Sequence, residues 1–257
     1  MARTFLLTLH YDGGRFAGWQ RQAEGRTVQG EIERVLERLC AEPVRVHAAG
    51  RTDAGVHAIG MGASCTIPDR WAPDALRRGL NALLPEDCRA MDIREARDGF
   101  HARKSACARR YRYVIGTDEA AGSPFRRRYE WPLGRSLDER ALGAAAACLA
   151  GEHDFHGFSV RSSRRAHTRC RVRSGAWTAR PGGTGWTFDI VADRFLHHMV
   201  RMLVGTMADI GLARRPVSDM HRLLTRDPDV RTSPPAPPQG LFFVAAEYPP
   251  EWFACAG

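Results

Sequence analysis

Residues 50–57 have the sequence GRTDAGVH, and the elements predicted on either side of this stretch decide the fold. Its two glycines, Gly50 and Gly55, permit a tight and exposed backbone. A short predicted strand at residues 44–47 leads into the stretch, and residues 59–66 predict a second strand after it. The sequence therefore predicts a loop between two strands, and this loop presents one acidic side chain, Asp53.

Strand and helix patterns alternate along the chain on both sides of this loop. Further strands are predicted at 4–11, 89–96, 108–115, 171–179, 186–191 and 241–248, and helices at 28–39, 73–84, 137–149, 197–210 and 216–224. This order predicts an α+β fold with two similar sheet-and-helix halves, residues 1–104 and 105–257. We expect their mainly antiparallel strands to merge into a central sheet, with the functional site in the cleft between the halves.

The composition excludes several classes of protein. Hydrophobic residues make up 44% and charged residues 26% of the chain, as in ordinary globular proteins. No apolar run approaches the ~20 residues of a membrane helix, and the N-terminal stretch does not fit a signal peptide. The seven cysteines are widely spaced without a C-x-x-C pair, which disfavours a zinc site made of thiolates. We therefore expect a cytoplasmic protein with reduced thiols and no membrane association.

The charge balance points to a polyanionic partner. The formal net charge is +9, which favours nucleic acid as a partner before a membrane surface. Lys104 is the only lysine, so the excess of arginine can also reflect a GC-rich genome. The distribution is more informative, because many arginines crowd the middle of the chain: Arg126, Arg127, Arg128, Arg161, Arg164, Arg165, Arg169, Arg171 and Arg173.

The sequence contains no motif for a metal or a cofactor. It has no Walker loop, no G-x-G-x-x-G after a strand and no G-x-S-x-G. His197 and His198 are adjacent, so on a helix they would point about 100° apart and would not share one face. Asp193 is interpreted as a helix cap. We expect neither a metal nor a nucleotide cofactor.

Asp53 and Arg51 form the strongest candidate for chemistry. An arginine beside a carboxylate keeps it ionised and oriented, and an ionised carboxylate in a loop suits a nucleophile or general base. The alternative is a surface turn capped by Asp53, because the sequence Asp-Ala-Gly is common in turns. The residue types alone favour this alternative.

Six blocks of sequence resemble the tRNA pseudouridine synthases of the A type, and they follow in the order of that family. They are residues 11–22 (YDGGRFAGWQRQ), 50–58 (GRTDAGVHA), 100–103 with 109–113 (FHAR and RRYRY), 151–155 (GEHDF), 195–201 (FLHHMVR) and 240–244 (GLFFV). The resemblance extends over most of the chain. Residues 59–64 depart from the family pattern of a Gln followed by apolar residues, and Gly62 and Ala63 are small for a core strand.

The resemblance implies an isomerase that converts uridine to pseudouridine at positions 38, 39 and 40 of the tRNA anticodon stem-loop. The N1–C1′ bond breaks, the uracil turns, and C5 joins C1′, without a redox step or cofactor. Asp53 would be the essential carboxylate, which attacks the ring, attacks the sugar or removes a proton from C2′. The base must leave its stack to reach this side chain, so we expect it to flip out.

The same resemblance assigns the side chains around the flipped base. Tyr111 would stack on the base, and Arg201 would pair with the catalytic Asp53. For Tyr111 the alternative is a core aromatic residue on a strand. The other members of the site would be the apolar wall Leu241 and the supporting side chains Arg51 and His198.

The family acts as a homodimer in which one tRNA contacts both subunits, so the arginine-rich middle is the expected RNA surface. Its predicted phosphate contacts are Arg164, Arg165 and Arg169. One alternative is a non-catalytic RNA-binding protein, which would need the basic surface but not Asp53 with Arg51 and Arg201. Another is a pseudouridine synthase that acts on other RNAs.

Overall fold

The computed structural model describes residues 2–160 and 167–253. The chain forms two compact units, one of Met1–Arg109 with Phe243–Gly257 and the other of Arg110–Phe242. These bounds are those of chain packing, and the functional division at residue 104 stays a prediction. None of the helices in the described ranges has the length and apolar composition to cross a membrane.

The elements confirm the predicted α+β class with mainly antiparallel strands. The strands are β1 (Ala2–Tyr11), β2 (His47–Ala48), β3 (His57–Pro68), β4 (Cys88–Ala96), β5 (Ala108–Gly116), β6 (Trp131–Pro132), β7 (Gly151–Asp154), β8 (Arg169–Ala179), β9 (Gly185–Ala192) and β10 (Leu241–Glu247). The helices are α1 (Val28–Cys40), α2 (Pro73–Leu83), α3 (Glu139–Ala147), α4 (Met199–Gly211) and α5 (Ser218–Leu224).

The first unit is a sheet with the strand order β4-β1-β3-β10, and β2 pairs with β3. β1 runs antiparallel to both β3 and β4. Helix α1 begins after Thr27, whose hydroxyl accepts a hydrogen bond from the Gly30 amide and caps the helix. The spacing of its apolar residues predicts a buried face of Val28, Ile32, Val35, Leu36 and Leu39; the first four are buried, whereas Leu39 is only partly buried. Helix α2 starts at Pro73 and packs on α1 and β4.

The small residues of β3 make room for the C-terminal segment of the same unit. A Cβ atom at Gly60 would lie 2.0 Å from the Val244 carbonyl oxygen, and one at Gly62 would lie 2.4 Å from the Tyr248 hydroxyl. Both distances are far below van der Waals contact, so a larger side chain would displace its neighbour. The departure from the family pattern at residues 59–64 therefore has a packing reason.

The second unit has the strand order β5-β9-β8-β7, and β6 pairs parallel to β5. The strands predicted at 171–179 and 186–191 form a hairpin, since β8 and β9 are antiparallel and are joined through a turn at Pro181–Gly183. Helix α3 packs on α4 and on β8.

Several predicted details of this unit are wrong. Helix α4 begins at Met199 because His198 has a left-handed backbone, with φ of 63°, so His197 and His198 precede the helix. Asp193 is no helix cap, since its carboxylate accepts a hydrogen bond from the Arg171 amide just after β9. Strands β6 and β7 were not predicted, because both are short and β7 is polar.

Candidate active site

Asp53 lies in a tight turn between β2 and β3. The Val56 amide donates a hydrogen bond to the Asp53 carbonyl oxygen at 3.2 Å, and Gly55 has φ of +79°. This value fits a type II turn, which favours glycine at its third position. Asp53 is partly buried, whereas Arg51 and Ala54 on either side of it are exposed. The predicted loop is confirmed, and it holds a carboxylate that a ligand can approach.

The N-terminal block, residues 11–22, supports this turn through its backbone. The Trp19 amide donates to the Thr52 carbonyl oxygen at 3.0 Å, and the Gly55 amide donates to the Phe16 carbonyl oxygen at 3.4 Å. Two of the conspicuous sequence blocks thus form one structural feature. This support was not predicted from the sequence.

Two glycines of the block allow the close approach. Gly18 has φ of +101°, and a Cβ atom there would lie 2.8 Å from the Thr52 carbonyl oxygen. A Cβ atom at Gly13 would lie 2.0 Å from the Val56 carbonyl oxygen. No larger residue fits either position without moving the backbone beside Asp53. In the sequence, these glycines were the sign of the contact between the N-terminal block and the Asp53 turn, since glycine commonly marks a close approach of two backbone segments.

Side-chain hydrogen bonds fix the turn on both sides of Asp53. On one side, the buried hydroxyls of Tyr11 and Thr52 are 2.8 Å apart. On the other, the buried His57 ring accepts a hydrogen bond from the Gly13 amide on Nδ1 at 3.0 Å. Since Asp53 stands between two such contacts, its backbone is held in place before any substrate arrives.

Arg26 fixes the N-terminal block to the rest of the first unit. Its guanidinium makes two hydrogen bonds to Asp87, at 2.7 and 2.8 Å, and a third to Glu31 at 2.9 Å. The same group lies over the Phe16 ring, 4.2 Å from the ring centre. The hydrogen bonds from Arg26 lower the pKa of Asp87, which keeps this carboxylate charged and the paired geometry in place.

Tyr111 lies on β5 in the second unit and is 7% exposed. Its ring packs edge-on against Phe195 with the centres 4.8 Å apart. Tyr113, two residues on, is fully buried and donates its hydroxyl to the Pro237 carbonyl oxygen at 2.7 Å. Tyr111 is therefore largely buried against Phe195, a setting that fits both the stacking role and the core role.

Arg201 is fixed between α4 and the proline-rich loop that follows α5. Its Nε donates to the Ala236 carbonyl oxygen at 2.8 Å, and the Ala236 amide donates to the Arg201 carbonyl oxygen at 2.9 Å. Gly205 allows this contact, because a Cβ atom there would lie 2.1 Å from the Pro234 carbonyl oxygen. Leu241, at the start of β10, is 5% exposed. Both predicted pocket residues thus lie in well-ordered surroundings.

Of the three arginines predicted to contact RNA, the structure describes only Arg169. Arg164 and Arg165 lie outside the described residues. Arg169, at the start of β8, is exposed, and its Nε donates to the Glu152 carboxylate at 2.9 Å. The hydrogen bonds from Arg169 and then Arg171 lower the pKa of Glu152, so this pair is charged at neutral pH. An RNA phosphate at Arg169 would compete with Glu152 for the guanidinium.

Within each unit, the structure shows which predicted residues are neighbours. In the first unit, Arg51 is exposed and lies two residues before Asp53, which begins the supported turn. In the second unit, Tyr111 contacts Phe195, whereas Arg201 contacts Ala236. His198 stands at the N-cap of α4 in its left-handed conformation, with its ring centre 4.1 Å from that of His197.

Comparisons with known proteins identify the family of the chain. A family model described as tRNA pseudouridine synthase matches residues 8–103 and 145–249. Asp53, Arg51, Arg201 and Leu241 fall within the matched segments, and Tyr111 falls between them.

Three similar proteins, each named tRNA pseudouridine synthase A, come from different bacteria. The protein of Solidesulfovibrio magneticus is 41% identical over 252 residues, which cover 94% of this chain and 90% of that protein. Those of Myxococcus xanthus and Moorella thermoacetica are each 40% identical over 94% of this chain, covering 91% and 98% of their own lengths. The chain therefore belongs to the tRNA pseudouridine synthase family.

Proposed function

We propose that this protein isomerises uridine to pseudouridine in the anticodon stem-loop of tRNA, at positions 38, 39 and 40. The observation that carries the proposal is the Asp53 turn, which is anchored on both sides by Thr52 and His57. The family membership supplies the reaction class. In this reaction the N1–C1′ bond of the nucleotide breaks and a C5–C1′ bond forms, while a proton moves from C5 to solvent and N1 gains one.

Asp53 is proposed as the catalytic residue. In each of the three mechanisms open to it, attack on the ring, attack on the sugar or removal of the C2′ proton, an ionised oxygen must reach the nucleotide at a fixed position. A preorganised turn supplies this position without a reorganisation cost during the reaction. The base reaches the carboxylate only after it leaves the helical stack.

The proposed substrate-binding residues are Tyr111, Arg201, Leu241 and Arg51, with His198 in support. The contact of the Tyr111 ring with Phe195 suits a stacking surface for the base, because a ring that is already packed loses little freedom on binding. For Arg201, the hydrogen bond from Nε to the Ala236 carbonyl oxygen fixes the orientation of the guanidinium and so the direction of its two terminal nitrogens.

The remaining proposals concern partners and location. We propose a cytoplasmic homodimer in which one tRNA contacts both subunits. The reaction as written needs no electron acceptor and no donated group, so we propose that it proceeds without a metal or nucleotide cofactor.

Asp53→Asn is the decisive experiment. The variant should form no pseudouridine, because Asn has no anionic oxygen, and it should keep its fold and its tRNA affinity within a few-fold. Tritium release from C5-labelled uridine in tRNA measures the activity, and a titration in parallel measures binding. Asp98→Asn is the matched control, since Asp98 is exposed and the change removes the same charge.

The outcomes of this experiment distinguish a pseudouridine synthase from an RNA-binding protein without this activity. Loss of activity with binding retained supports the synthase. Full activity in Asp53→Asn excludes Asp53 as the catalytic residue, and unfolding of the variant would show that the turn is structural. A wild-type protein that binds tRNA but forms no pseudouridine would be an RNA-binding protein without this activity.

A further inference from the structure

An exposed aromatic and arginine-rich loop lies between β5 and β6 in the second unit. We call residues 123–129 the tip loop. Phe125 is 90% exposed and Tyr129 is 43% exposed, although large hydrophobic residues are usually buried. Arg127 and Arg128 are exposed beside them, and the Arg128 guanidinium lies 5.8 Å from the centre of the Tyr129 ring. The loop falls between the segments that match the family model.

Ion pairs hold the tip loop in one conformation. Arg126, which is half-buried, makes two hydrogen bonds to Asp118, at 2.6 and 2.9 Å. Its Nε also contacts Glu130 at 2.8 Å. Glu130 is 3% exposed and pairs with Arg180 as well. The first arginine of the run is therefore structural, and it fixes the base of the loop.

Backbone hydrogen bonds order the rest of the loop. The amides of Arg126 and Arg127 both donate to the Ser123 carbonyl oxygen, at 3.0 and 2.8 Å, and the Tyr129 amide donates to the Arg126 carbonyl oxygen at 2.8 Å. The Phe125 amide donates to the Ser123 hydroxyl at 3.3 Å. The exposed Phe125 ring is thus presented by an ordered turn.

We propose that the tip loop is an RNA-binding surface, with Phe125 stacked on an unpaired base and with Arg127 and Arg128 on phosphates. The proposal rests on the proposed tRNA substrate. Aromatic rings beside guanidinium groups are suited to bind unpaired RNA, because bases stack on the rings and phosphates pair with arginine. A net charge of +9 attracts the same polyanion.

A second copy of this chain fits the tip loop less well. A two-fold interface centred on the loop would place the same patch against itself, so Arg127 and Arg128 would face their own copies. Like charges brought together in this way oppose association. RNA supplies the opposite charge and a partner for the ring.

Two variants of Phe125 distinguish stacking from simple burial of apolar surface. Phe125→Tyr keeps the ring and should bind unmodified tRNA transcript within about twofold of wild type. Phe125→Leu keeps apolar bulk but loses the aromatic face, and its affinity should fall about five- to a hundredfold. Because Phe125 is exposed, both variants should unfold at the wild-type temperature.

The two arginines are tested by the dependence of binding on salt. Replacing Arg127 and Arg128 by Gln should flatten the slope of log K against log salt by about 0.7 to 0.9 for each phosphate that the variant no longer binds. The matched control replaces Arg38 and Arg78 by Gln, since both are exposed on helices of the first unit. The control should leave the slope closer to wild type.

The outcomes separate this inference from the proposed function. If wild type forms pseudouridine but Phe125→Leu and the double Gln variant bind tRNA as wild type does, the tip loop is not an RNA surface. If wild type forms no pseudouridine, the proposed function fails, and the same titrations still decide whether the loop binds RNA. If Phe125→Leu binds RNA normally while Phe125→Asp lowers the mass of the oligomer in sedimentation, the loop is a protein interface.

Discussion

Asp53, the proposed catalytic residue, lies in a turn that its hydrogen-bonded neighbours hold in place. Thr52 and His57 on either side of it are buried and hydrogen-bonded, while the acid itself remains partly exposed. Gly13 and Gly18 bring a second segment against the same turn. The sequence predicted the loop and its acid from residue types and spacing. The support joins distant segments and leaves no local periodic pattern, so its one sign in the sequence was the glycines of residues 11–22.

Tyr111 is expected to act through its aromatic face. Tyr111→Phe should keep the fold and tRNA binding, because the ring and its contact with Phe195 remain. Tyr111→Leu keeps most of the buried volume but loses stacking of about 1–3 kcal/mol on the flipped base. Since that base arrives only during catalysis, turnover should fall about five- to a hundredfold while affinity stays within a few-fold. Full turnover in Tyr111→Leu would show that the residue serves the core alone.

His101 should make stability depend on pH. Burial, followed by the positive charge of His47, Lys104 and Arg103, lowers the pKa of His101 below its ordinary value of 6.5. The folded state therefore favours the neutral ring. The stabilisation is fully present above pH 6.5 and is lost as pH falls through 6.5 toward the lower folded-state pKa.

A matched variant isolates this effect from other histidines. His101→Asn should retain the hydrogen bond from the Arg103 amide, which the ring accepts at 3.1 Å, because Asn accepts from the residue two positions on. The free energy of unfolding in urea should fall less between pH 7.5 and pH 5.5 in the variant than in wild type. Parallel curves would mean that His101 protonates equally in both states.

Among the elements, the helices with a clear apolar period were predicted best. Helix α1 follows its cap and its apolar face, and α2 starts at Pro73 as expected. The start of α4 was predicted two residues early, because a left-handed residue such as His198 is a tertiary feature that propensity does not reveal. Strand β7 is polar and four residues long, so only pairing with β8 makes it a strand.

Substitutions at Gly62 in β3 and at Tyr248 should have coupled effects on the free energy of unfolding. Gly62→Ala places a Cβ atom 2.4 Å from the Tyr248 hydroxyl, and the ring cannot easily retreat because it packs on Phe100. We expect a loss of about 1–3 kcal/mol in the free energy of unfolding. Tyr248→Phe removes the contacting oxygen, so the double variant should recover part of this loss.

The control for this cycle is a glycine with open surroundings. Gly122→Ala meets no atom within 4 Å and should change stability little. Thermal or urea unfolding of the four proteins gives the coupling. Strict additivity of Gly62→Ala and Tyr248→Phe would argue against the predicted contact.

For the whole molecule, the proposed basic surface should govern the response to salt. Replacing Arg164, Arg165 and Arg169 by Ala should flatten the log–log salt slope of tRNA binding by about 0.7 to 0.9 per contact. Different tRNAs should weaken alike, since phosphate contacts carry no sequence information. An unchanged slope would show that these arginines are only solvated.

Glu152 offers a test of the one described member of that group. Glu152→Gln removes the carboxylate that pairs with Arg169, so the guanidinium becomes more available to phosphate. Glu152→Gln should bind tRNA slightly more tightly than wild type at low salt. When Arg169→Ala is the background, adding Glu152→Gln should give no such gain in affinity. A gain that survives in the double variant would come from the lost negative charge alone.

The return of the chain to its first unit has a consequence for its synthesis on the ribosome. Phe100 packs with Leu6 and Ala102, but this cluster also needs Tyr248, Trp252 and Phe253 from the far end of the chain. At translation rates of about 5–20 residues per second, roughly 7–27 s pass while residues 110–242 are made. Until residues 243–253 are made, the unit that contains Asp53 therefore lacks three aromatic side chains of this cluster. A polypeptide that ends before residue 243 would contain Asp53 but not the packing of these side chains around Phe100, so we expect the first unit to reach its final packing only after residues 243–253 are made.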